Sequence, residues 1–249
     1  YPASNGYNSY FDKDEKSIGG LKNPPPVSKG LYYLSLTFDA IAIVLSIVKI
    51  SIVFACLVFI YGLVSKAYSH PAIRLKKMPI VGWLTIGVFQ GLFTFLMCYV
   101  GINKYSFVQS LKPDVLIPGV LSSVMLLASY PMTQIYQHEE DAKRGDKTIS
   151  FKLGIKGTFY FVGALFSVVS LLFVWYFNAY FTAQYTYAFL LAMAPVVVYF
   201  FIWFLWVLKK ESNASYGWTM GLNFISATCL NVFFTYLFLN STQVLQAFQ

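Results

Sequence analysis

Residues 182–208 read TAQYTYAFLLAMAPVVVYFFIWFLWVL and contain no Asp, Glu, Lys or Arg. A helix needs about 20 mostly apolar residues to cross the roughly 30 Å of hydrocarbon in a bilayer. This stretch is long enough, and it is apolar on all sides, whereas a barrel strand would alternate between apolar and polar residues. It therefore predicts an α-helix that spans a membrane.

Six further stretches of the same kind occur along the chain, with short polar links between them. Of the 249 residues 57% are apolar and only 11% are charged, which is too few charges for the surface of a soluble globular protein. Gly, Pro and Cys are too scarce for a disordered, collagen-like or disulfide-rich chain. We therefore predict an all-α, polytopic membrane protein. Its other spans are predicted at Leu31–Val48, Ile50–Ala67, Pro79–Ile102, Val115–Tyr136, Gly157–Phe177 and Tyr216–Leu239.

The basic residues predict how these spans are oriented. If the N-terminal segment lies in the cytoplasm, fifteen of the 18 Lys and Arg residues fall on the cytoplasmic side. Only Lys49, Lys104 and Lys112 fall on the other side. This asymmetry is typical of multi-pass membrane proteins. We expect an integral protein of the cell inner membrane with its polar loops in the cytoplasm. The net charge of +8 then reflects topology, and no nucleic-acid partner is expected.

Two groups of acidic and amide side chains lie on the predicted cytoplasmic face, one near the start of the chain and one after the fourth span. Asn8 and Asp12 are four residues apart, as are Gln137 and Asp141, so each pair lies on one face if its segment is helical. Glu140 can share the region of the second pair. Such oxygen ligands suit Mg²⁺, which commonly binds carboxylates together with substrate phosphates. The alternative is that each group is a solvated run of charge beside the membrane.

A basic segment lies on the same predicted face, between the second and third spans. Residues 68–77 read YSHPAIRLKK. Its Tyr and basic side chains are suited to hold a diphosphate, because Lys and Arg neutralise phosphate oxygens directly. The alternative is an ordinary positively charged loop of the cytoplasmic side.

Together the three segments resemble the UbiA superfamily of intramembrane prenyltransferases. That family has a first motif N-D-x-x-D-x-x-x-D, a second motif D-x-x-x-D, and a loop like Y-S-x-P-x-x-R-L-K between them. Here the first motif reads Asn8-Ser9-x-x-Asp12-x-x-x-Lys16, and the second reads Gln137-x-x-x-Asp141. Ser9, Lys16 and Gln137 replace acids of the family pattern, so the resemblance implies a divergent member.

The resemblance also implies an architecture. The family has a bundle of nine membrane helices, with the first motif at the end of the second helix. Seven spans are present in this sequence. We therefore interpret residues 1–249 as a single prenyltransferase-like transmembrane domain and expect one to two further helices upstream of it.

By this resemblance the protein is an enzyme that moves an isoprenyl group from an allylic prenyl diphosphate to an aromatic or other lipophilic acceptor, with Mg²⁺ as cofactor. Carried over position by position, the resemblance implies catalytic roles for Asp12 and Asp141. The implied metal contacts are Asn8, Asp12, Gln137, Glu140 and Asp141. The implied diphosphate contacts are Lys13, Tyr68, Arg74, Lys76 and Lys147. The other interpretations are a transporter with an ion path and a non-catalytic binder of prenyl lipids.

Two polar residues inside predicted spans stand apart from these motifs. Asp39 lies near the middle of its span, where an acid is costly. We expect it either to serve the function or to be held by a buried hydrogen bond. Gln90 lies within Gly87-x-x-x-Gly91, a spacing typical of close helix packing.

Overall fold

The structure is a computed structural model and describes residues 1–242 and 244. A π-helical segment, Gly87–Phe93, joins two of its α-helices. Short 3₁₀ turns cover Leu75–Lys77, Phe107–Leu111 and Glu211–Asn213. No β-strand occurs in the described part of the chain. The α-helices are α1 (Pro2–Asp12), α2 (Lys29–Lys49), α3 (Ile52–Ser69), α4 (Pro79–Ile86), α5 (Thr94–Asn103), α6 (Pro113–Gln134), α7 (His138–Arg144), α8 (Ile149–Tyr180), α9 (Ala183–Lys209) and α10 (Tyr216–Ser241).

Seven helical stretches are long and apolar enough to cross a membrane, judged by length and composition. They are α2, α3, the continuous stretch from α4 through the π segment to α5, α6, α8, α9 and α10. The predicted all-α polytopic fold and its seven spans are therefore confirmed. Many large apolar side chains on these helices are exposed, for example Leu191 at 77%, as expected where lipid covers them.

Most helix starts lie within two residues of the prediction or coincide with it, and two of the differences have a local reason. α3 begins at Ile52 because the Ser51 hydroxyl accepts a hydrogen bond from the Phe54 N–H at 3.1 Å and caps the helix there. α8 begins at Ile149, before the predicted start at Gly157. It is interrupted at Gly154, whose φ of 71° lies in the left-handed region that glycine adopts readily.

The chain forms two compact units, of which the first comprises Tyr1–Gly154 and the second begins at Ile155. All the residues proposed for the site lie in the first unit. There α1 packs closely on α2: a Cβ on Gly6 would lie 2.5 Å from Ser35 Oγ, so a larger residue at this position would have to displace the Ser35 hydroxyl. The close approach fixes α1, which carries Asn8 and Asp12, against a membrane-spanning helix.

The π segment packs on α6, also within the first unit. A π turn departs from the regular ladder of backbone hydrogen bonds. Ser123 of α6 hydrogen-bonds two backbone groups of the π segment. Its hydroxyl accepts a hydrogen bond from the Leu92 N–H at 2.8 Å and donates one to the Gly87 carbonyl at 2.7 Å. A Cβ on Gly91 would lie 2.5 Å from the Ser123 Cα. A glycine and a serine together therefore permit this irregular segment to pack against α6.

The second unit contains the part of α8 after Gly154 together with α9 and α10, and its interior is aromatic. The ring centroids of Phe177 and Phe233 are 5.1 Å apart in an edge-to-face arrangement, which is a favoured geometry for ring pairs. Its most completely enclosed aromatic side chains are Phe159, Phe177, Phe189, Trp203 and Phe233. Aromatic rings that pack on one another thus fill much of the interior of this unit, which contains none of the predicted site residues.

Candidate functional site

The first acidic group lies on α1. The helix runs through Asn8 and Asp12, so these two side chains lie about one turn apart on the same face. α1 ends at Lys13, whose φ of 50° lies in the left-handed region. Lys13 is exposed. It therefore lies at the rim of the site, outside the enclosed side chains described next.

The loop after α3 supplies basic side chains to this group. Ser69 Oγ donates a hydrogen bond to Asn8 Oδ1 at 2.7 Å, and Lys76 Nζ donates one to the same oxygen at 3.1 Å. Lys76 also forms an ion pair with Asp12. Arg74 Nη2 lies 3.3 Å from Asp12 Oδ1. The predicted diphosphate loop is therefore held against the two α1 residues that the resemblance marks as metal contacts.

The second acidic group lies on α7. Glu140 and Asp141 occupy its first turn, and Gln137 directly precedes the helix. Asp141 Oδ1 lies 3.0 Å from Arg144 Nη2. Asp141 Oδ2 accepts a hydrogen bond from Thr148 Oγ1 at 3.1 Å. Asp141 is thus bonded through both carboxylate oxygens.

Arg144 and Asp146 join the two groups. Arg74 donates two hydrogen bonds to Asp146, from Nε to Oδ1 and from Nη2 to Oδ2, both at 2.8 Å. Arg144 lies 3.3 Å from Asp146 Oδ2 and also pairs with Asp14. Four carboxylates and three cations therefore form one connected cluster, here called the ion network. Its members are Asp12, Asp14, Arg74, Lys76, Asp141, Arg144 and Asp146.

The ion network is largely enclosed by protein. None of its side chains is more than 17% exposed, and Asp146 is 1% exposed. A carboxylate removed from water in this way loses free energy of hydration unless a cation or hydrogen-bond donor faces it. This is why each acid lies against Lys or Arg. With all groups ionised, four acids and three bases leave one net negative charge.

Enclosure also shifts the pKa values in the ion network. Burial raises the pKa of the Asp141 carboxyl to about 6, although Arg144 and Thr148 act in the opposite direction. Burial raises the pKa of Asp14 and lowers that of Lys76. The surroundings thus disfavour the charged forms of both acids and of the ammonium. Shifts of this kind concentrate at functional sites.

Three residues implied by the resemblance lie at the edge of the ion network. Glu140 Oε1 lies 3.0 Å from Lys143 Nζ. Lys147 is exposed, and its backbone N–H donates to the Lys77 carbonyl at 3.3 Å. Gln137 is half-buried beside the start of α7. The structure therefore brings Asn8, Asp12 and Asp141 into the network's contacts and leaves Glu140, Gln137 and Lys147 around it.

Asp14, Arg144 and Asp146 complete the network. From the sequence, Asp14 is considered only as a neighbouring acid that could restore the negative charge of the first motif, and none of the three is named as a site residue. All three lie inside the two polar segments that the sequence singles out. The sequence therefore shows where these three residues lie along the chain. It does not show which acid each base contacts, because spacing along a chain does not determine contacts with a distant loop.

Tyr68 connects the site to a cavity within the membrane-spanning helices. Its hydroxyl lies 2.9 Å from the Tyr130 hydroxyl. Both tyrosines line a cavity of about 210 Å³ among α1, α3, α4, the π segment and α6. Asn8 and Ser69 also line the cavity, and they contact each other directly beside Lys76. The cavity and the ion network therefore share a wall.

Asp39, the acid inside a predicted span, is paired. It forms an ion pair with Lys66 of α3. Lys66 Nζ also lies 5.3 Å from the centre of the Tyr7 ring on α1, an attractive cation–π arrangement. Tyr7 directly precedes Asn8. Asp39 and Lys66 thus contribute to holding α1 in place against α2 and α3.

The oxygen atoms of the ion network and of the neighbouring Asn8 suit Mg²⁺ in type. Carboxylate and amide oxygens are its preferred protein ligands, and the excess negative charge is one a cation would offset. Within residues 1–242 and 244, however, no three His, Cys, Asp or Glu side chains converge to hold a metal ion. Arg74, Lys76 and Arg144 stand between the acids.

Comparison with known proteins bears on what this site does. A sequence model of the UbiA prenyltransferase family matches residues 1–228. The matched region includes the whole ion network and every residue that lines the cavity. No curated protein and no solved structure matches the chain.

Proposed function

Because this chain belongs to the UbiA prenyltransferase family, we propose that it moves an isoprenyl group from an allylic prenyl diphosphate to an aromatic or other lipophilic acceptor. The observation that carries the proposal is the wall shared by the ion network and the cavity, formed by Asn8 and Ser69. A prenyl diphosphate has a polyanionic head and an apolar tail. Its head suits the charged network, and its reacting carbon then lies close to a cavity between membrane helices.

Arg74 and Lys76 are the proposed diphosphate contacts at the centre of the network. In the structure they lie against Asp12 and Asp146. Phosphate oxygens would take the place of these carboxylates, and a guanidinium group matches two oxygens at once. Both bases would then stabilise the negative charge that grows on the leaving group.

The proposed reaction is a substitution at C1 of the prenyl chain. The bond between C1 and the diphosphate oxygen breaks, and its electron pair leaves with the diphosphate. An electron-rich atom of the acceptor forms the new bond to C1. The proton that this atom loses passes to the released diphosphate. The rings of Tyr68 and Tyr130, at the cavity wall, are suited to face the positive charge that develops on the prenyl group.

The proposal includes Mg²⁺, which would offset the net negative charge of the ion network. Asp12, Asp141 and the amide oxygen of Asn8 would hold it, with Gln137 and Glu140 close to α7 as further oxygen donors. When bound, the ion supplies Lewis-acid stabilisation of the leaving diphosphate.

Purified full-length protein with Mg²⁺, a series of labelled allylic diphosphates and a panel of lipophilic acceptors tests the proposal. We expect labelled product and stoichiometric release of diphosphate. Asp12→Asn and Asp141→Asn should each lower turnover by roughly 100-fold or more, because each removes a negative charge that would hold the metal beside the diphosphate.

Glu211→Gln is the matched control, since Glu211 forms only an exposed pair with Lys156, 3.6 Å away in the second unit. Its turnover should stay within about twofold of the wild type, as exposed pairs contribute little. Tight diphosphate binding without any turnover would instead support a non-catalytic binder. Unchanged turnover in both Asp variants would refute the site assignment.

A further inference from the structure

Two neighbouring segments of the chain each place one charged residue inside the ion network and the next one at the surface. Lys76 is buried, whereas Lys77 is exposed. Asp146 is buried, whereas Lys147 is exposed. The two exposed lysines therefore lie outside the network, on the side of it that faces the surroundings of the protein.

A third exposed lysine lies close to these two, also within the first unit. The Lys147 backbone N–H donates a hydrogen bond to the Lys77 carbonyl at 3.3 Å, so the two segments are adjacent. Lys152 follows in the first turns of α8, where its N–H donates to the Thr148 carbonyl at 3.0 Å. Lys77, Lys147 and Lys152 are here called the surface lysine cluster.

The surface lysine cluster has no counter-charge. No residue that the structure describes forms an ion pair with any of its three lysines. The neighbouring acids have other partners, since Asp146 lies against Arg74 and Arg144, and Glu140 lies 3.0 Å from Lys143. Like charges close together repel one another, and an anion that binds among them offsets this repulsion. The cluster is therefore suited to an anionic ligand.

The surface lysine cluster lies where two candidate membrane spans begin. The α4–α5 stretch starts two residues after Lys77, and α8 starts two residues after Lys147. Large apolar side chains next to the lysines in the sequence are exposed, Met78 at 41% and Phe151 at 37%. Basic and exposed apolar side chains side by side at the end of a span match the boundary between lipid headgroups and acyl chains.

We propose that the surface lysine cluster binds the phosphate group of an anionic phospholipid at the edge of the bilayer. Each lysine offers an ammonium group to the phosphate oxygens. Basic clusters directly beside a membrane span attract anionic headgroups in this way. The inference goes beyond the proposed function and does not rest on it, because it concerns residues outside the ion network.

The surroundings of the cluster favour a membrane lipid over a free phosphate compound. A lipid keeps its acyl chains in the bilayer, and Met78 and Phe151 offer apolar surface to them. A soluble anion gains nothing from these two side chains. It would instead be held more firmly by Arg74 and Lys76, whose side chains are only 14% and 9% exposed, because a charge interaction is screened less where water is excluded.

Two lipids with the same acyl chains test the proposal: dioleoylphosphatidylglycerol, which is anionic, and dioleoylphosphatidylcholine, which has no net charge. Native mass spectrometry of the purified full-length protein in detergent counts bound lipids and gives their dissociation constants. We expect the first phosphatidylglycerol to bind at least about tenfold more tightly than phosphatidylcholine. Lys77→Gln and Lys152→Gln should each weaken phosphatidylglycerol binding by about fivefold, as is typical for one lysine at an anionic headgroup. Phosphatidylcholine binding should not change.

Lys22→Gln is the matched control, since it removes the same charge from an exposed lysine between α1 and α2. It should leave phosphatidylglycerol binding nearly unchanged. An equal loss in Lys22→Gln would show a diffuse attraction to any basic link and would overturn the proposal. Equal binding of the two lipids by the wild type would also overturn it, and that comparison does not depend on any variant folding. The lysines would then serve only to orient the spans.

The source of the phosphate is tested with inorganic diphosphate and no added lipid. Isothermal titration calorimetry compares its binding to the wild type and to Lys152→Gln. We expect equal affinities, because free diphosphate is proposed to bind in the ion network. A loss of about fivefold in Lys152→Gln would assign the cluster to a soluble anion and overturn the assignment to a lipid. Absence of prenyl transfer, by contrast, would refute the proposed function and leave the lipid preference as it is.

Discussion

Asp146 is the most enclosed acid of the ion network, and no motif marked it. Its side chain is 1% exposed and receives both hydrogen bonds of the Arg74 fork at 2.8 Å. Burial alone would raise its pKa, but Arg74 and Lys76 outweigh burial and hold the pKa below its ordinary value. The charged form of Asp146 therefore stabilises the fold, in contrast to that of Asp141.

We expect Asp146→Asn to destabilise the protein by about 3–5 kcal/mol, because it leaves the enclosed Arg74 guanidinium without its main counter-charge. The measurement is the unfolding midpoint in detergent, with ligand binding of the folded fraction recorded alongside. Glu139→Gln provides the comparison, since Glu139 pairs with Lys16 through side chains that are 67% and 53% exposed. It should leave the unfolding midpoint nearly unchanged, because an exposed ion pair contributes little to stability. Equal effects of the two substitutions would contradict this account of Asp146.

The raised pKa of Asp141 gives a prediction with the opposite sign. Its pKa is about 6 in the folded chain, because of burial, against an ordinary value of 3.8. The folded state therefore holds this proton more tightly than the unfolded state, and the associated stability is lost as the pH rises from about 4 through 6. Asp141→Asn cannot lose a proton.

Without divalent cations, wild-type protein should thus lose more thermal stability between pH 5 and pH 7.5 than Asp141→Asn. Thermal unfolding of both proteins at the two pH values measures this, and the difference between them cancels the other titrating groups. Parallel pH dependence in the two proteins would show that Asp141 is already ionised at pH 5.

At the scale of elements, the close packing of the π segment on α6 leaves no room for a larger residue at Gly91. Gly91→Ala would place a Cβ 2.5 Å from the Ser123 Cα, which is backbone and cannot swing aside. We expect a loss of about 1–3 kcal/mol of stability from overpacking.

Gly163→Ala is the matched control in α8, because the nearest side-chain atom to its added Cβ is 3.7 Å away. Since alanine favours helix by up to about 1 kcal/mol over glycine, this variant should be neutral or slightly more stable. Unfolding midpoints of both variants in the same detergent make the comparison. A Gly91→Ala protein as stable as Gly163→Ala would mean that the π segment repacks freely.

The elements also show where sequence reasoning succeeds and where it fails. A charge-free run such as residues 182–208 predicts a span because a bilayer requires length and apolar composition alone, and α9 covers that run. The π segment has no such signal, since it depends on Ser123 from another helix to take up its backbone groups. In the same way the spacing of Asn8 and Asp12 predicts a shared helical face, but the bases that meet them come from a loop about 60 residues later.

For the whole molecule, the distribution of basic residues predicts which side of the membrane carries the ion network. The links that carry most of the Lys and Arg should face the cytoplasm, because basic segments resist transfer across the membrane. Two single-cysteine variants test this, made after replacement of Cys56, Cys98 and Cys229. Lys22→Cys lies between α1 and α2, and Lys104→Cys directly follows α5.

In intact cells a membrane-impermeant maleimide should label Lys104→Cys and leave Lys22→Cys unlabelled until the membrane is opened. Because α2, α3 and the α4–α5 stretch separate the two positions, three spans place them on opposite faces. Labelling of both in intact cells would mean that one of these helices does not cross the membrane. The reverse pattern would place the ion network on the outer face of the membrane and contradict the orientation that the basic residues predict.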